Sequence, residues 1–178
     1  MDIVIRQIET ADINQLQNIS CQTFIETFAD VNSEENMQAY LAESLSAEEL
    51  LAELTNPNSV FYFAESNGRI IGYLKLNLGQ AQTELKDSRG IEIERIYVLK
   101  EFHGKNVGQL LYNKAMQIAK ENNAGYVWLG VWEENPRAIK FYQKNGFVEF
   151  DKHIFKLGND EQVDLMMKLE LKQTSDKV

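Results

Sequence analysis

The way the hydrophobic period changes along the chain predicts a mixed α/β sheet folded as one domain. Three observations carry that prediction. Ile91–Val98 (IEIERIYV) alternates strictly between apolar and polar residues, as a strand with one buried face does. Directly after it, Val107, Leu110, Leu111, Ala115, Ile118 and Ala119 recur at helical spacing up to Asn122. A chain of 178 residues with 44% hydrophobic content is enough for one domain with an ordinary core.

Each element has its own local signal. Ile3–Ile8 (IVIRQI) reads as a first strand, and Asp12 as the cap of a helix reaching about Ala29 through Ile13, Leu16, Ile19, Phe24 and Phe28. A second helix covers Glu34–Leu45. Ser46-Ala47-Glu48-Glu49 is a capping box that opens a short helix to Leu54, stopped before Asn56-Pro57. Val60–Glu65 and Arg69–Leu78 are β-rich runs joined by Ser66-Asn67-Gly68, a hairpin signal. Residues Gly79–Gly90 are polar and irregular, hence a loop. Tyr126–Trp132 (YVWLGVW) is a buried strand; Pro136 then sits where a first helical turn tolerates proline, and Asn145-Gly146 ends that helix at Lys144. Glu149–Leu157 and Asp164–Leu171 close the sheet around a Gly158-Asn159-Asp160 turn. The domain spans residues 1–172, and 173–178 are expected to fray.

Composition narrows the function classes. No run approaches the roughly 18 apolar residues of a membrane span, and MDIVIRQIET lacks the basic-then-apolar layout of a signal peptide, so a cytoplasmic location is expected. Cys21 is the sole cysteine, which excludes an internal disulfide and leaves a packed apolar residue or a reactive thiol. His103 and His153 do not make a zinc site by themselves, so no metal is expected. The net charge of −9 is uneven. Eleven acids and no Lys or Arg lie between Arg6 and Arg69, against 18 basic and 16 acidic residues in the remainder. Such a front half repels nucleic acid and anionic membrane and attracts cations. A solvated helical surface would have the same composition.

One segment presents a possible anion site. The strand Ile91–Val98 passes through Leu99–Phe102 and His103-Gly104-Lys105-Asn106-Val107-Gly108-Gln109 into the amphipathic helix. Unpaired N–H groups at a helix N-terminus, with glycines that let a ligand approach, suit a phosphate or pyrophosphate. The segment is neither GxxxxGK[ST] nor GxGxxG, which disfavours a Walker NTPase and a standard dinucleotide fold. An ordinary strand-to-helix loop remains the alternative.

A second segment decides between them. The strand Tyr126–Trp132 followed by Asn135, Ala138, Phe141-Tyr142, Lys144 and Gly146-Phe147 resembles the C-terminal signature of the GCN5-related N-acetyltransferase (GNAT) superfamily. Arg95-Ile96-Tyr97-Val98 through Gly108 is similar to that superfamily's acetyl-CoA loop, with the two motifs in the expected order. The resemblance implies a mostly antiparallel, twisted sheet flanked by helices, and acetyl-CoA as cosubstrate. Two positions depart from the usual loop, Arg/Gln-x-x-Gly-x-Gly/Ala. His103 replaces its first residue and can still donate to phosphate; Asn106 replaces its middle glycine and tolerates a left-handed backbone.

The resemblance also assigns roles. Backbone at Ile96, Tyr97 and Val98 would pair with the pantetheine arm and polarise the acetyl carbonyl. Amides of His103, Gly104, Lys105, Asn106, Val107, Gly108 and Gln109 would hold the pyrophosphate. Asn135 would bond pantetheine, or equally cap the helix before Pro136. Lys144 would reach the phosphates, or serve the last helical turn. Tyr142 is the candidate general acid, because a phenol of pKa near ~10 can protonate a departing thiolate whose parent thiol lies near ~8.5; core packing beside Phe141 is its other reading. Glu92 matches the position where several family members place a general base. Glu94, two residues on and on the same strand face, can orient the amine or pass protons through water, unless the two simply form a solvated face.

Thr23–Ala29 and the acidic helical pair after it resemble bacterial spermidine/spermine acetyltransferases of the PaiA type. A small cationic amine, a polyamine such as spermidine or spermine, is therefore the expected acceptor, with no nucleic-acid or membrane partner and a homodimer left open. A peptide or protein amine and a non-catalytic CoA-binding regulatory domain are the rival readings.

Overall fold

The structure, a computed structural model, describes residues 1–172, so the tail expected to fray at 173–178 lies outside the described residues. Its strands are β1 (Val4–Gln7), β2 (Ser59–Ser66), β3 (Arg69–Leu78), β4 (Gly90–Val98), β5 (Tyr126–Trp132), β6 (Val148–Leu157) and β7 (Asp160–Glu170). All join one sheet in the order β1-β2-β3-β4-β5-β7-β6. Every neighbouring pair is antiparallel except β4 and β5. The helices are α1 (Ile13–Phe28), α2 (Glu34–Glu43), α3 (Ala47–Leu54), α4 (Val107–Glu121) and α5 (Pro136–Lys144). The mostly antiparallel sheet flanked by helices is thus present.

Each face of the sheet has its own core. On one face Ile91, Ile93, Val127, Leu129 and Tyr142 pack with Leu111, Ala115 and Ala119 of α4. On the other, Phe61, Phe63 and Tyr73 pack with Leu16 and Phe24 of α1 and Leu50 of α3. Apolar area removed from water on both faces of one sheet is the main stabilising term.

Local signals explain most element ends. Asn67 (φ 52°) and Gly68 (φ 74°) form the tight β2–β3 turn, whose positive φ values match the twist of the flanking strands. Ser46 caps α3 by accepting from the Glu49 N–H at 3.1 Å. Asp12 behaves differently from expectation. Its carboxylate accepts from the Glu9 N–H at 2.9 Å and from Arg6 at 2.7 and 3.1 Å, and closes a 3-10 turn (Thr10–Asp12) instead of capping α1. A nearby guanidinium outcompetes the helix end for that carboxylate.

Two departures shape the rest of the molecule. β7 begins at Asp160, earlier than the Asp164 the apolar pattern marks, because Asp160–Gln162 pair with β6 although they are polar. The hairpin tip then reaches α2, where Asn36 Nδ2 donates to Asn159 Oδ1 at 2.8 Å. The second departure is in β4, whose alternation is broken by a bulge. Lys75 pairs with Arg95 but Leu76 with Ile93, so Glu94 is an extra residue and Glu94 and Arg95 share a face.

The parallel β4–β5 ladder is short: Gly90, Ile91 and Glu92 pair with Tyr126, Val127 and Trp128, and beyond that the strands diverge. β5 continues to Trp132 against β7, while β4 runs on against β3 to Val98. The wedge between them is where an extended ligand can meet unpaired backbone.

Removing the cap that holds α3 should be measurable. We expect Ser46→Ala to lower stability by about 1 kcal/mol in urea unfolding, with an unchanged m-value.

Candidate active site

Two cavities meet at the wedge. One of about 700 Å³ lies between the β4–α4 loop and α5. The other, about 500 Å³, opens on the α1–α3 face above β4, β5 and β7. Ile96, Tyr97, Trp132, Asn135 and Tyr142 line both, so they form one continuous passage.

The first cavity is shaped by its loop. Gly104 (φ 76°) and Asn106 (φ 66°) take left-handed backbone, and Asn106 is the residue before α4 with no side-chain cap of its own. That conformation leaves the N–H groups of Val107, Gly108 and Gln109 at the open, positive end of a 15-residue helix. A Cβ placed at Gly104 or Gly108 would meet no protein atom within 4 Å, so packing does not require either glycine; the space they leave is open to a ligand. Lys100, Arg137 and Lys144 add positive charge to the walls. Glu26 of α1, itself in the cavity wall, secures the loop by accepting the Lys100 N–H at 2.7 Å. This cradle fits a pyrophosphate, and the adjoining β4 edge fits an amide-bearing arm.

Some of the expected donors are committed elsewhere. The His103 N–H bonds Lys100 O at 3.1 Å and the Lys105 N–H bonds Phe102 O at 3.3 Å, which closes the turn and removes both from the cradle. The His103 ring places Nε2 at 2.8 Å from Val98 O, so its N–H points at that carbonyl and not at a phosphate. Burial, together with Arg137, keeps this imidazole below its usual pKa despite the Val98 carbonyl, favouring the neutral ring. Lys105 lies with Nζ 4.9 Å from the Phe102 ring centroid. Asn135 caps α5, its Oδ1 accepting the Ala138 N–H at 3.1 Å, which leaves its NH2 group for a ligand. Gln109 donates to Asn113 and Asn145 at 3.0 and 3.2 Å.

Tyr142 is 7% exposed and stands at the junction of the two cavities. Burial raises its phenol pKa, so it is protonated at neutral pH.

Glu92 and Glu94 do share a face, and their environments differ. Asn77, 1% exposed, donates Nδ2 to both, at 3.1 and 2.6 Å, while its Oδ1 accepts from Ser59 at 2.9 Å. Glu94 lies 2.5 Å from the Lys75 ammonium and 3.3 Å from Arg95. Arg95 in turn makes a bidentate pair with Glu53 of α3, at 2.7 and 3.0 Å, and Lys75 reaches Glu53 at 3.1 Å. Desolvation pushes Glu94 upward, but Arg95 and Lys75 outweigh it and hold the carboxyl below its ordinary range. No cation contacts Glu92 among the described residues. Desolvation dominates there and raises its pKa, only partly offset by hydrogen bonds from Thr83 and Asn77.

Sequence reasoning missed Glu53, Lys75, Arg95, Asn77 and Thr83, and a further group in the second cavity. There Asp164 and Glu84 flank His153, at 3.6 and 3.3 Å, and Gly130 of β5 leaves the space beside them. A Cβ at Gly130 would come within 3.2 Å of His153 and 3.4 Å of Asp164. The glycine in YVWLGVW was the available signal, since a strand interior normally avoids glycine.

The chain matches the acetyltransferase (GNAT) family over residues 14–147. It is 38% identical to an uncharacterised N-acetyltransferase of Lactobacillus delbrueckii subsp. lactis, over 95% of this chain and 98% of that one. It is 28% identical to a spermidine N(1)-acetyltransferase of Thermoplasma acidophilum, over 83% of this chain and 89% of that one. Among solved structures, the PaiA N-acetyltransferase of Thermoplasma acidophilum in complex with coenzyme A superposes with a TM-score of 0.80 at 26% identity, covering 96% of this chain and all (100%) of that one.

The two glutamates should separate in stability measurements. Glu94, with its pKa lowered, contributes stability that is complete above the ordinary value of 4.5 and lost as pH falls through the folded value. Glu92, raised, costs stability once pH exceeds its folded value. At pH 7 we therefore expect Glu94→Gln to destabilise by about 3 kcal/mol, leaving Lys75 and Arg95 short of countercharge. Glu92→Gln should melt no lower than the parent at pH 7, and any advantage should vanish below pH 4.5.

Proposed function

Since the chain belongs to the acetyltransferase (GNAT) family and is an acetyl-CoA-dependent N-acetyltransferase, we propose that it acetylates a small polycationic amine of the spermidine or spermine kind. One observation carries the choice of acceptor: the acidic excess of the second cavity. Glu84, Glu92 and Asp164 line it, whereas Arg95 is neutralised by Glu53 and Glu94 and Lys156 turns to Glu161 at 3.6 Å. Coulomb attraction at an effective ε of ~20 is worth a few kcal/mol per close pair before desolvation, and a polyamine offers several such pairs. The similarity to a spermidine N(1)-acetyltransferase supports the same reading.

The reaction assigned to the site is a direct transfer. The passage lets an amine in the acidic cavity approach an acetyl group held at the β4 edge, where the outward backbone N–H groups of Ile96 and Val98 can polarise its carbonyl; the N–H of Tyr97, between them, is turned into the ladder with β3. Gly104 and the residues Asn106, Val107, Gly108 and Gln109 hold the pyrophosphate by their amides, with Lys144 as a nearby countercharge. Asn135 donates its free NH2 to the pantetheine arm while its oxygen caps α5. Glu92, uncompensated by any cation, takes the proton of the attacking ammonium, directly or through one water. Glu94 keeps its charge in the Lys75–Arg95 network and fixes the Asn77 amide that Glu92 shares; it is a positioning residue.

As the C–N bond forms and the C–S bond breaks, Tyr142 protonates the departing thiolate, and the phenolate recovers its proton from the nitrogen of the tetrahedral adduct, directly or through water. A phenol whose pKa is raised is a poor donor to an ordinary thiolate in water. The same burial raises the proton affinity of a thiolate formed beside it, which restores the match.

Free-thiol release with a panel of polyamines, monoamines and peptides is the direct test. We expect spermidine to give the highest kcat/KM, and Asp164→Asn to raise its KM about tenfold, roughly 1.4 kcal/mol. A peptide α-amine outperforming spermidine would overturn the acceptor assignment. Acetyl-CoA binding without thiol release to any amine would overturn the transfer itself. Tyr142→Phe should lower kcat about 100-fold with little change in either KM.

A further inference from the structure

We propose that Thr83 is the positioning residue of the Glu92 carboxylate, acting through a hydroxyl that can bond both the charged and the protonated acid. This rests on the reading of Glu92 as the base. Thr83 holds both oxygens: its N–H donates to Oε2 at 2.8 Å and its hydroxyl to Oε1 at 2.6 Å. Asn77 adds a second donor to Oε2 at 3.1 Å. An ionised carboxylate offers about four lone-pair positions. Three are filled, and the vacant one is on Oε1. The amine's proton therefore has one place to go.

The chemistry of the three donors separates them. When Oε1 takes a proton from the amine, the N–H groups of Thr83 and Asn77 continue to donate to Oε2. The Thr83 hydroxyl alone can accept: once the new O–H turns about its C–O bond from the vacant side to face Thr83, the hydroxyl rotates to receive it. It thereby supports the acid after the transfer as well as the base before it, and the carboxyl need not change rotamer. Loss of the proton to solvent returns the hydroxyl to its donating orientation.

The loop that carries Thr83 is built to hold it there. Gln82, 1% exposed, donates its amide hydrogens to Gly79 O and Asp87 O at 3.1 and 2.9 Å. Its Oε1 accepts the Trp128 indole N–H from β5 at 2.7 Å. Gly90 N–H closes onto Asp87 O at 3.0 Å. One residue thus ties the β3–β4 loop to β5, and the next clamps β4. Thr83 itself is exposed, so only its polar atoms are committed and a change of side chain leaves the packing alone.

Other titrating and charged groups face the same cavity: Tyr40 from α2, Tyr73 from β3, Glu84 from the loop, Glu94, Arg95 and Tyr97 from β4, Tyr142 from α5, His153 and Lys156 from β6 and Asp164 from β7. Lys75 and Glu53 lie behind Glu94. None of these is bonded to Glu92 in the structure, and the variants below leave all of them in place.

Thr83→Val removes the hydroxyl at nearly constant volume, and Thr83→Ser keeps it. With the valine variant, the acid limb of kcat/KM for the best amine should move up by about one pH unit, the amount by which a charge-assisted hydrogen bond to the carboxylate exceeds the neutral one to the acid. Activity should fall about tenfold on that limb and return to the parent level above it, with KM for the amine unchanged. Serine should restore the parent profile. A carboxyl-carbon NMR titration of Glu92 in the protein without acetyl-CoA should show the same upward displacement. An unmoved limb, a loss equal at every pH, or a serine variant as impaired as the valine would overturn the assignment of Thr83. Full activity of Glu92→Gln would instead overturn the reading of Glu92 as base, and the Thr83 assignment with it.

Discussion

Two buried positive and two half-buried negative side chains meet between β3, β4 and α3, and they must balance because an uncompensated charge there would cost several kcal/mol. Arg95 and Lys75 meet Glu53 and Glu94 in that space. The bulge in β4 follows from it, since only an extra residue turns Glu94 and Arg95 to the same side. The position of α3 follows too, because Glu53 must reach both cations from the last turns of that helix. The acidic front half is in this sense partly internal. Glu53 is a structural counterion there, Asp12 and Glu65 both pair with Arg6, and others of the eleven give the surface its charge.

Balance in the network is what leaves Glu92 distinct. The carboxylates two residues apart share one asparagine, yet only Glu94 sits against cations. Charge and proton affinity are thereby divided between them: Arg95 and Lys75 hold Glu94 ionised, while burial raises the proton affinity of Glu92. Across the cavity, Asp164 and Glu84 extend the negative wall, and Gly130 leaves the room that a side chain would fill. Anionic cavity and polarising strand edge come together at Tyr142 and Asn135, which belong to both.

Much of this was legible in the residues because it is encoded locally. Ser46 before Glu49, Asn67-Gly68 between two strands, Asn106 ahead of a helix and Asn135-Pro136 at the start of another each declare their geometry within a few positions. The family signature at Asn135–Phe147 was legible for the same reason, and the comparisons bear it out. What was not legible depends on partners far along the chain. Lys75 looks like a strand surface residue until Glu53 and Glu94 arrive beside it, 22 and 19 positions away. Alternation in IEIERIYV holds only as far as Glu94; the adjacent polar residues Glu94 and Arg95 mark the bulge, which a strictly alternating reading of the run passes over. Asp12 had a helix-capping reading that Arg6, six positions back on β1, overrode once the strand brought its guanidinium alongside. Thr83 sat in a stretch with no period, and its role appears only when the loop closes on β4.

The short parallel seam between β4 and β5 has a mechanical consequence. Three residue pairs join the antiparallel ribbon β1–β4 to the ribbon β5–β7–β6, and α4, packed against Ile93 and Val127 alike, is the splint across the joint. Two stiff plates fastened along one short line act as a lever. A small rotation about Gly90–Glu92 is magnified with distance along the strands, so it hardly disturbs the carboxylate pair at the pivot. At Val98 and Trp132, the far ends of the opening, it changes the width most. Any flexing of the joint therefore changes the width at the rim and leaves Glu92, at the fulcrum, in its place.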